Sequence, residues 1–169
     1  MREIIRFAWG ISSLGDFIVA LSDKGIVALE FGSAHEATED ALRARLAEAE
    51  LHRSQDGLAE VVATVTGLID DPAGECDLPL DMRGTAYEVN VWTMLREIPA
   101  GQTTTYGALA ARLGTRDPRE VTQAIADNAI AVIVPCHRVI KKDGSISGYR
   151  WGVRRKRVLL AREQGKQEH

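Results

Sequence analysis

The sequence predicts two unlike halves: a mixed α/β unit over residues 1–82 and a mostly helical unit over residues 83–169. Three observations predict this. Apolar runs of strand length dominate the first 32 residues; the hydrophobic period then becomes helical; and DDPAGECDLPLDMRG, residues 70–84, interrupts both patterns with Pro, Gly and acids. With 169 residues, 45% of them hydrophobic, the chain can bury one good core or two small ones.

The elements follow in order. REIIRFAWG, DFIVALS and GIVALEFG read as strands, and DKG joins the last two as a hairpin. In SAHEATEDALRARLAEAE, Ser33 and Glu36 have capping-box spacing and Leu42 and Leu46 recur at helical spacing, so a helix over this whole segment packs on the hairpin. LAEVVATVTGLID is read as a second helix despite its β-branched residues. Beyond the break near residue 82, Thr85 and Glu88 form another capping box ahead of a helix carrying Val89, Trp92, Leu95 and Ile98, closed by Pro99 and Gly101. TYGALAARLG is the next helix, ended by Gly114. In DPRE, Asp117 caps, Pro118 suits the first helical position and Glu120 completes a box, so a further helix runs from Pro118 to about Asp127. Two short helices with a tight joint have helix-turn-helix spacing, which helix pairs in ordinary cores share.

Charge is distributed unevenly. Residues 1–82 carry 6 basic and 16 acidic side chains (−10), residues 83–134 carry 5 and 5, and residues 135–169 carry 10 and 3 (+7), which sums to the net −3. A basic end suits a phosphate-bearing partner and equally a solvated helix face. No leader-like segment and no run near the roughly 18 apolar residues of a membrane span is present, so the expectation is a soluble cytoplasmic protein with no membrane partner. Two cysteines make no disulfide framework, and no Cys/His cluster has zinc spacing; reduced thiols, no metal and no cofactor are expected.

AVIVPCHRVI, residues 131–140, carries the chemistry. Val132, Ile133 and Val134 read as a buried strand stopped by Pro135, with Cys136 and His137 immediately after. A free thiol is only a few per cent ionised at neutral pH, and lowering its pKa by two units takes about 2.7 kcal/mol. His137 and Arg138 are cationic or basic neighbours able to favour the anion. Adjacent residues of an extended chain point to opposite faces, so a water may be needed between thiol and imidazole. A third group should orient the imidazole. Glu163 shares a helix face with Leu159 and Leu160, and a carboxylate there needs a partner. A buried, inert cysteine is the competing reading for Cys136, and the only one offered for Cys76 in GECD.

PCHRV, followed by DGSISGYRWGVRRKRVLL and preceded by RGTAYEVNVWTMLREIPAGQTTTYGALA, resembles the O6-alkylguanine-DNA alkyltransferases, or methylated-DNA–protein-cysteine methyltransferases. GYRWG is similar to the C-terminal half of the bacterial adaptive-response protein. The resemblance is dense from Leu80 to Glu163 and looser before it. It implies an α/β N-terminal RNase H-like domain and a mostly α, winged-helix-like C-terminal domain whose helix-turn-helix enters the DNA minor groove. It also implies DNA repair by base flipping in the bacterial cytoplasm or nucleoid, by a monomer acting on double-stranded DNA that carries alkylated guanine.

By this resemblance Cys136 is the alkyl acceptor, His137 takes its proton through a water and Glu163 orients His137. Tyr106 donates to the guanine, Arg119 fills the gap left by the flipped base, and Asn128 ties the recognition helix to the active-site turn. Val139 and Tyr149 line the base pocket; Thr122, Gln123 and Arg150 face substrate or DNA. A cation at the start of a helix opposes the helix dipole, which leaves Arg119 without a helix-stabilising role there. The chain departs from the family after Arg119, where small residues are usual: Thr122 and Gln123 share the face of Arg119, while Glu120 turns away by about 100°. Two other readings remain at this point: a cysteine-dependent acyltransferase or hydrolase, and a non-catalytic DNA-lesion-binding or sensing module.

Overall fold

The computed structural model describes residues 2–146 and 148–165. Strands β1 (Glu3–Ser12), β2 (Gly15–Leu21) and β3 (Ile26–Phe31) form an antiparallel meander. β4 (Ala49–Arg53) lies parallel to β1, so the sheet order is β3-β2-β1-β4. Side chains alternate across β2. Ile18 and Ala20 pack with Ile5, Phe7 and Val27 beneath Leu42 of α1 (His35–Arg45), while Phe17 and Val19 enter the other core. Both faces of the central strands are therefore covered, which is why β2 and β3 read as near-continuous apolar runs.

The second face is covered by α2 (Ala59–Asp70) and by the helices beyond residue 82. Val65 and Ile69 share one core with Phe17, Leu29, Trp92, Leu95, Leu109 and Val121. α3 (Ala86–Arg96) starts with the reciprocal Thr85–Glu88 box, and its Trp92 Nε1 donates to Ala124 O at 2.8 Å. α4 (Tyr106–Leu113) is capped by Thr105 and closed by Gly114 at φ 70°, a left-handed residue that glycine supplies without a Cβ clash. α5 (Pro118–Ala126) has Pro118 in its first turn and Asp117 as N-cap. β5 (Thr104–Thr105) pairs in parallel with β6 (Val139–Ile140), and α6 (Val153–Glu163) closes the described chain.

Four local expectations are corrected. Ser33 does not cap α1: Ala34 is the N-cap, with no side-chain bond. The long helix expected to reach Glu50 stops at Arg45, and Ala49–Arg53 becomes β4, because pairing along β1 outweighs helix-favouring composition. At α5, Asp117 caps through Arg119 N–H at 3.0 Å, with no reciprocal Glu120 bond among the described residues. The fourth concerns AVIV, which is no strand.

In place of a strand there are two three-residue turns. Ile130 makes an isolated bridge to Leu29, and Ile133 N then donates to Ala131 O at 2.7 Å across Val132, whose φ is 67°. That is a γ-turn of the rarer, strained hand, and Val132 is the only described non-glycine residue with positive φ. Cys136 N donates to Val134 O at 2.8 Å across Pro135, at φ −82° and ψ 62°, a γ-turn of the common hand. Cys136–Arg138 then form one turn of 3-10 helix.

Candidate active site

The turn just described delivers Cys136 to the wall of a cavity of about 190 Å³, with Tyr106, Thr122, Ile125, Tyr149 and Arg150 around it. Each comes from a different structural cause. Thr105 caps α4 and so sets Tyr106 at its first turn; Thr122 and Ile125 lie on α5, with Thr122 Oγ1 donating back to Pro118 O at 3.1 Å. Gly148, at φ 62°, brings its loop past Tyr106: a Cβ there would lie 3.9 Å from the Tyr106 hydroxyl. Tyr149 and Arg150 follow directly, with the Tyr149 ring edge-on to Trp151.

Behind the cavity lies a buried ionic cluster. His137 and Glu163 are fully buried as side chains, and His137 Nε2 is 2.9 Å from Glu163 Oε2. Arg138 donates to the same carboxylate, through Nε at 3.0 Å and through Nη2, and its Nη1 donates to Ile98 O. Burial pushes the Glu163 carboxyl up, but the bonds from His137 and Arg138 outweigh it and hold the group below its ordinary value. An ionised carboxylate only accepts, so the proton of neutral His137 sits on Nε2. Burial lowers the His137 pKa despite Glu163, so the ring is neutral at pH 7. Its Nδ1 is buried and has no partner among the described residues, which makes it an available proton acceptor. Glu163 thus finds the partner its apolar helix face required, and Arg138, read in the sequence only as a cationic neighbour, is half of the answer.

Cys136 sits in conflict with the simple expectation of a stabilised thiolate. Burial pushes its pKa up to about 11, against the opposing Asn128 bond and the charges of Lys156 and Arg150. The resting group is a neutral thiol, so the nucleophile must be made by proton transfer rather than stored. Asn128 Nδ2 donates to Cys136 Sγ at 3.3 Å and to Ile130 O and Val134 O, while Asn128 Oδ1 accepts from Ile130 N. One amide holds both ends of the strained turn and the sulfur. Burial raises the Tyr106 pKa, with a smaller contribution from the sulfur, so the phenol keeps its proton. The Tyr149 hydroxyl is buried without a partner among the described residues.

Not every residue named from the sequence meets at the cavity. Arg119 extends into solvent at the start of α5, paired with Asp117 at 2.9 Å. Gln123 donates to Asp127 at 3.0 Å and lines a separate groove between α3 and α5. Val139 is fully buried opposite Thr104 and is absent from the cavity lining. Arg150 turns inward, donating through Nη1 to Asn128 O at 2.7 Å and through Nη2 to Glu30 Oε1 at 2.8 Å.

Lys156 was missed in the sequence. It is fully buried, and its Nζ donates to Gly148 O at 3.3 Å. The signal was available: Lys156 precedes Leu159 by three residues, Leu160 by four and Glu163 by seven, which places it on their face, but a VRRKR run reads as a solvated helix face.

Fold and site together define a class: an α/β sheet joined to a helix pair, presenting one buried thiol backed by a His–Glu–Arg cluster to a small cavity. The profile described as 6-O-methylguanine DNA methyltransferase, DNA binding domain, matches residues 86–165. The bifunctional transcriptional activator/DNA repair enzyme Ada of Escherichia coli is 38% identical over 165 residues, covering 97% of this chain and 47% of that protein. A methylated-DNA–protein-cysteine methyltransferase of Shigella flexneri is 38% identical over 124 residues, covering 68% and 72%. The crystal structure of Mycobacterium tuberculosis OGT in complex with DNA superposes with a TM-score of 0.79 at 30% identity, covering 96% and 95%. The chain belongs to the methylated-DNA–protein-cysteine methyltransferase family. It spans about half the length of the first curated relatives it matches.

Proposed function

We propose that the chain repairs DNA by moving an alkyl group from O6 of guanine to Cys136 in a single irreversible step. The observation that carries this reading is the buried thiol at a small cavity, with a neutral imidazole oriented by an ionised carboxylate beside it. The Cys136 proton passes to His137 Nδ1 through a water, and the sulfur attacks the alkyl carbon. The C–O6 bond breaks, and its electron pair stays with the guanine. The phenol of Tyr106 donates a hydrogen bond to the departing base, and the proton released by the thiol balances the one the restored guanine takes up. The product is a thioether, which has no carbonyl for water to attack, so each molecule acts once.

A guanine O6 is buried in the duplex stack, so the base must leave it, at a cost of a few kcal/mol. The basic last segment and the N-terminus of α5 hold phosphates, Arg119 enters the gap, and Thr122 faces the lesion. Gln123 reaches the groove on the same helix face. In this reading residues 1–82 form an RNase H-like domain and residues 83–169 a winged-helix-like domain, and a monomer works in the cytoplasm or nucleoid. No helix among the described residues is long and apolar enough to cross a membrane.

The test is mass spectrometry after incubation with duplex DNA containing O6-methylguanine. One methyl mass on the peptide holding Cys136, with at most one equivalent transferred, is the expected result. Repeated turnover would point to a hydrolase or acyltransferase, and binding without a mass shift to a sensing module; either would sink the proposal. Cys136→Ala is expected to abolish transfer and keep most of the DNA affinity.

A further inference from the structure

We propose that Glu30, on β3 of the first half, is a positioning residue for the thiol chemistry, acting through Arg150 and Asn128 on Cys136. The inference rests on the transfer reading for its rate measurement but has a readout independent of DNA.

β3 is the sheet edge that faces the active-site turn, and it grips that turn with two successive residues. The Leu29 backbone donates to Ala129 O at 2.9 Å and accepts from Ala131 N at 2.8 Å. Glu30 follows with its side chain. In IVALEF every residue is buried, and Glu30 is the only charged one, where an apolar residue would serve the sheet at no desolvation cost. Its carboxylate is shared: Oε2 accepts from Arg45 at 2.9 Å and Oε1 from Arg150 at 2.8 Å. The other arm of the Arg150 fork donates to Asn128 O at 2.7 Å. Asn128 in turn donates to the Cys136 sulfur and to Val134 O.

A four-residue chain therefore runs from the first half of the molecule to the nucleophile. Guanidinium geometry suits it, because two parallel N–H donors on a rigid plane fix the carbonyl and the carboxylate relative to each other. Arg150 is also a cavity wall, and its ring contact with Trp151, 5.3 Å to the centroid, orients the same plane. The turn it steadies is strained at Val132 and has no sheet ladder of its own beyond the single bridge. Strained turns persist only where their surroundings over-determine them. β3, through Leu29 and Glu30, supplies that constraint from outside the helical half.

The experiment uses the full chain with Glu30→Ala, Arg150→Met, both together, and Arg45→Met as control. Three quantities are measured: the single-turnover transfer rate constant at saturating O6-methylguanine duplex, the DNA dissociation constant, and the pH midpoint of Cys136 alkylation by iodoacetamide. Glu30→Ala is expected to slow transfer about tenfold, with DNA affinity changed by less than about twofold. Arg45→Met, which removes the other partner of Glu30, leaves transfer near that of the unaltered chain, and the double variant is no slower than Arg150→Met alone.

The thiol midpoint separates positioning from simple charge. Removing a carboxylate near the sulfur favours the thiolate and moves the midpoint down; loosening the Asn128 donor disfavours the thiolate and moves it up. An upward shift supports the inference. A downward or absent shift with unchanged transfer, or strictly additive losses in the double variant, overturns it. Should Glu30→Ala fail to fold, Arg150→Lys replaces it, since a single ammonium cannot span both acceptors, with the same expected signs. If the unaltered chain transfers nothing, the proposed function fails, while the iodoacetamide midpoint still decides this inference.

Discussion

Two ion pairs of the same length sit on either side of the thiol. His137–Glu163 and Arg119–Asp117 both measure 2.9 Å. The first pair is 0% exposed on both side chains; in the second Arg119 is 91% exposed and Asp117 42%. Distance alone would rank them equally. Burial separates them: the inner pair is part of a cluster whose charges cannot return to water, whereas the outer pair competes with solvent and salt at every moment. The inner pair can hold a proton acceptor in one orientation, and the outer one can release its arginine to a partner.

The largest expected consequence is at Glu163. Glu163→Ala leaves Arg138 buried without its carboxylate, and loss of one member of such a cluster costs on the order of 3–5 kcal/mol, readable as a fall in Tm and in denaturant midpoint. A Tm within a degree or two of the original would mean that the cluster contributes little. Asn128→Ala is next. It strips the turn of bonds to Ile130, Val134 and the sulfur, for roughly 2–3 kcal/mol, and transfer should fall further than stability does.

Acid and alkali should act on the inner side alone. His137 and Glu163 both have folded pKa values below their ordinary 6.5 and 4.5, so the unfolded chain binds more protons as pH drops through those values. Stability is therefore present above them and is lost first below about 6.5 and more steeply below about 4.5. Cys136 is raised from 9.0 to about 11, the opposite sign: its contribution is complete below 9.0 and lost as pH rises through about 11. Denaturant titration from pH 4 to 11 should show a plateau between the two losses, whereas Glu163→Gln should flatten the acid limb. A symmetrical dome unaffected by that variant would contradict the assignment.

The smallest stability effect belongs to the outer pair. Arg119→Ala should leave Tm and the pH profile unmoved, yet slow repair of duplex DNA more than reaction with free O6-methylguanine base. Equal slowing of both reactions would remove Arg119 from any role in base extrusion. Raising salt should weaken duplex binding by Arg119-containing protein more than by the variant.

Legibility in the sequence followed the range of the interactions. The strands β1 to β3, helix α2, the Thr85–Glu88 box, the Gly114 stop and the Asp117–Pro118 start were all readable, because each depends on residues a few positions apart. β4 was hidden, since its register is set by β1, more than 40 residues earlier. AVIV looked like a strand because apolar, β-branched residues suit any buried extended backbone, and only its neighbours force the two γ-turns. At the site, Cys136 with His137 was visible as a pair, and Glu163 as a carboxylate in need of a partner. Arg138, Lys156 and Glu30 passed as ordinary charges.

By itself, then, the sequence determined the element types, the division of charge between the two ends, and which thiol and which imidazole stand together. Those are local properties, governed by backbone preference, hydrophobic period and covalent adjacency. Only the tertiary structure decided that His137 is neutral with an open Nδ1, that Cys136 rests as a thiol, and that Arg150 faces Glu30 rather than solvent. The physical reason is desolvation: protonation state and pairing depend on which charges the fold removes from water together, and that is fixed by contacts between residues far apart in the chain.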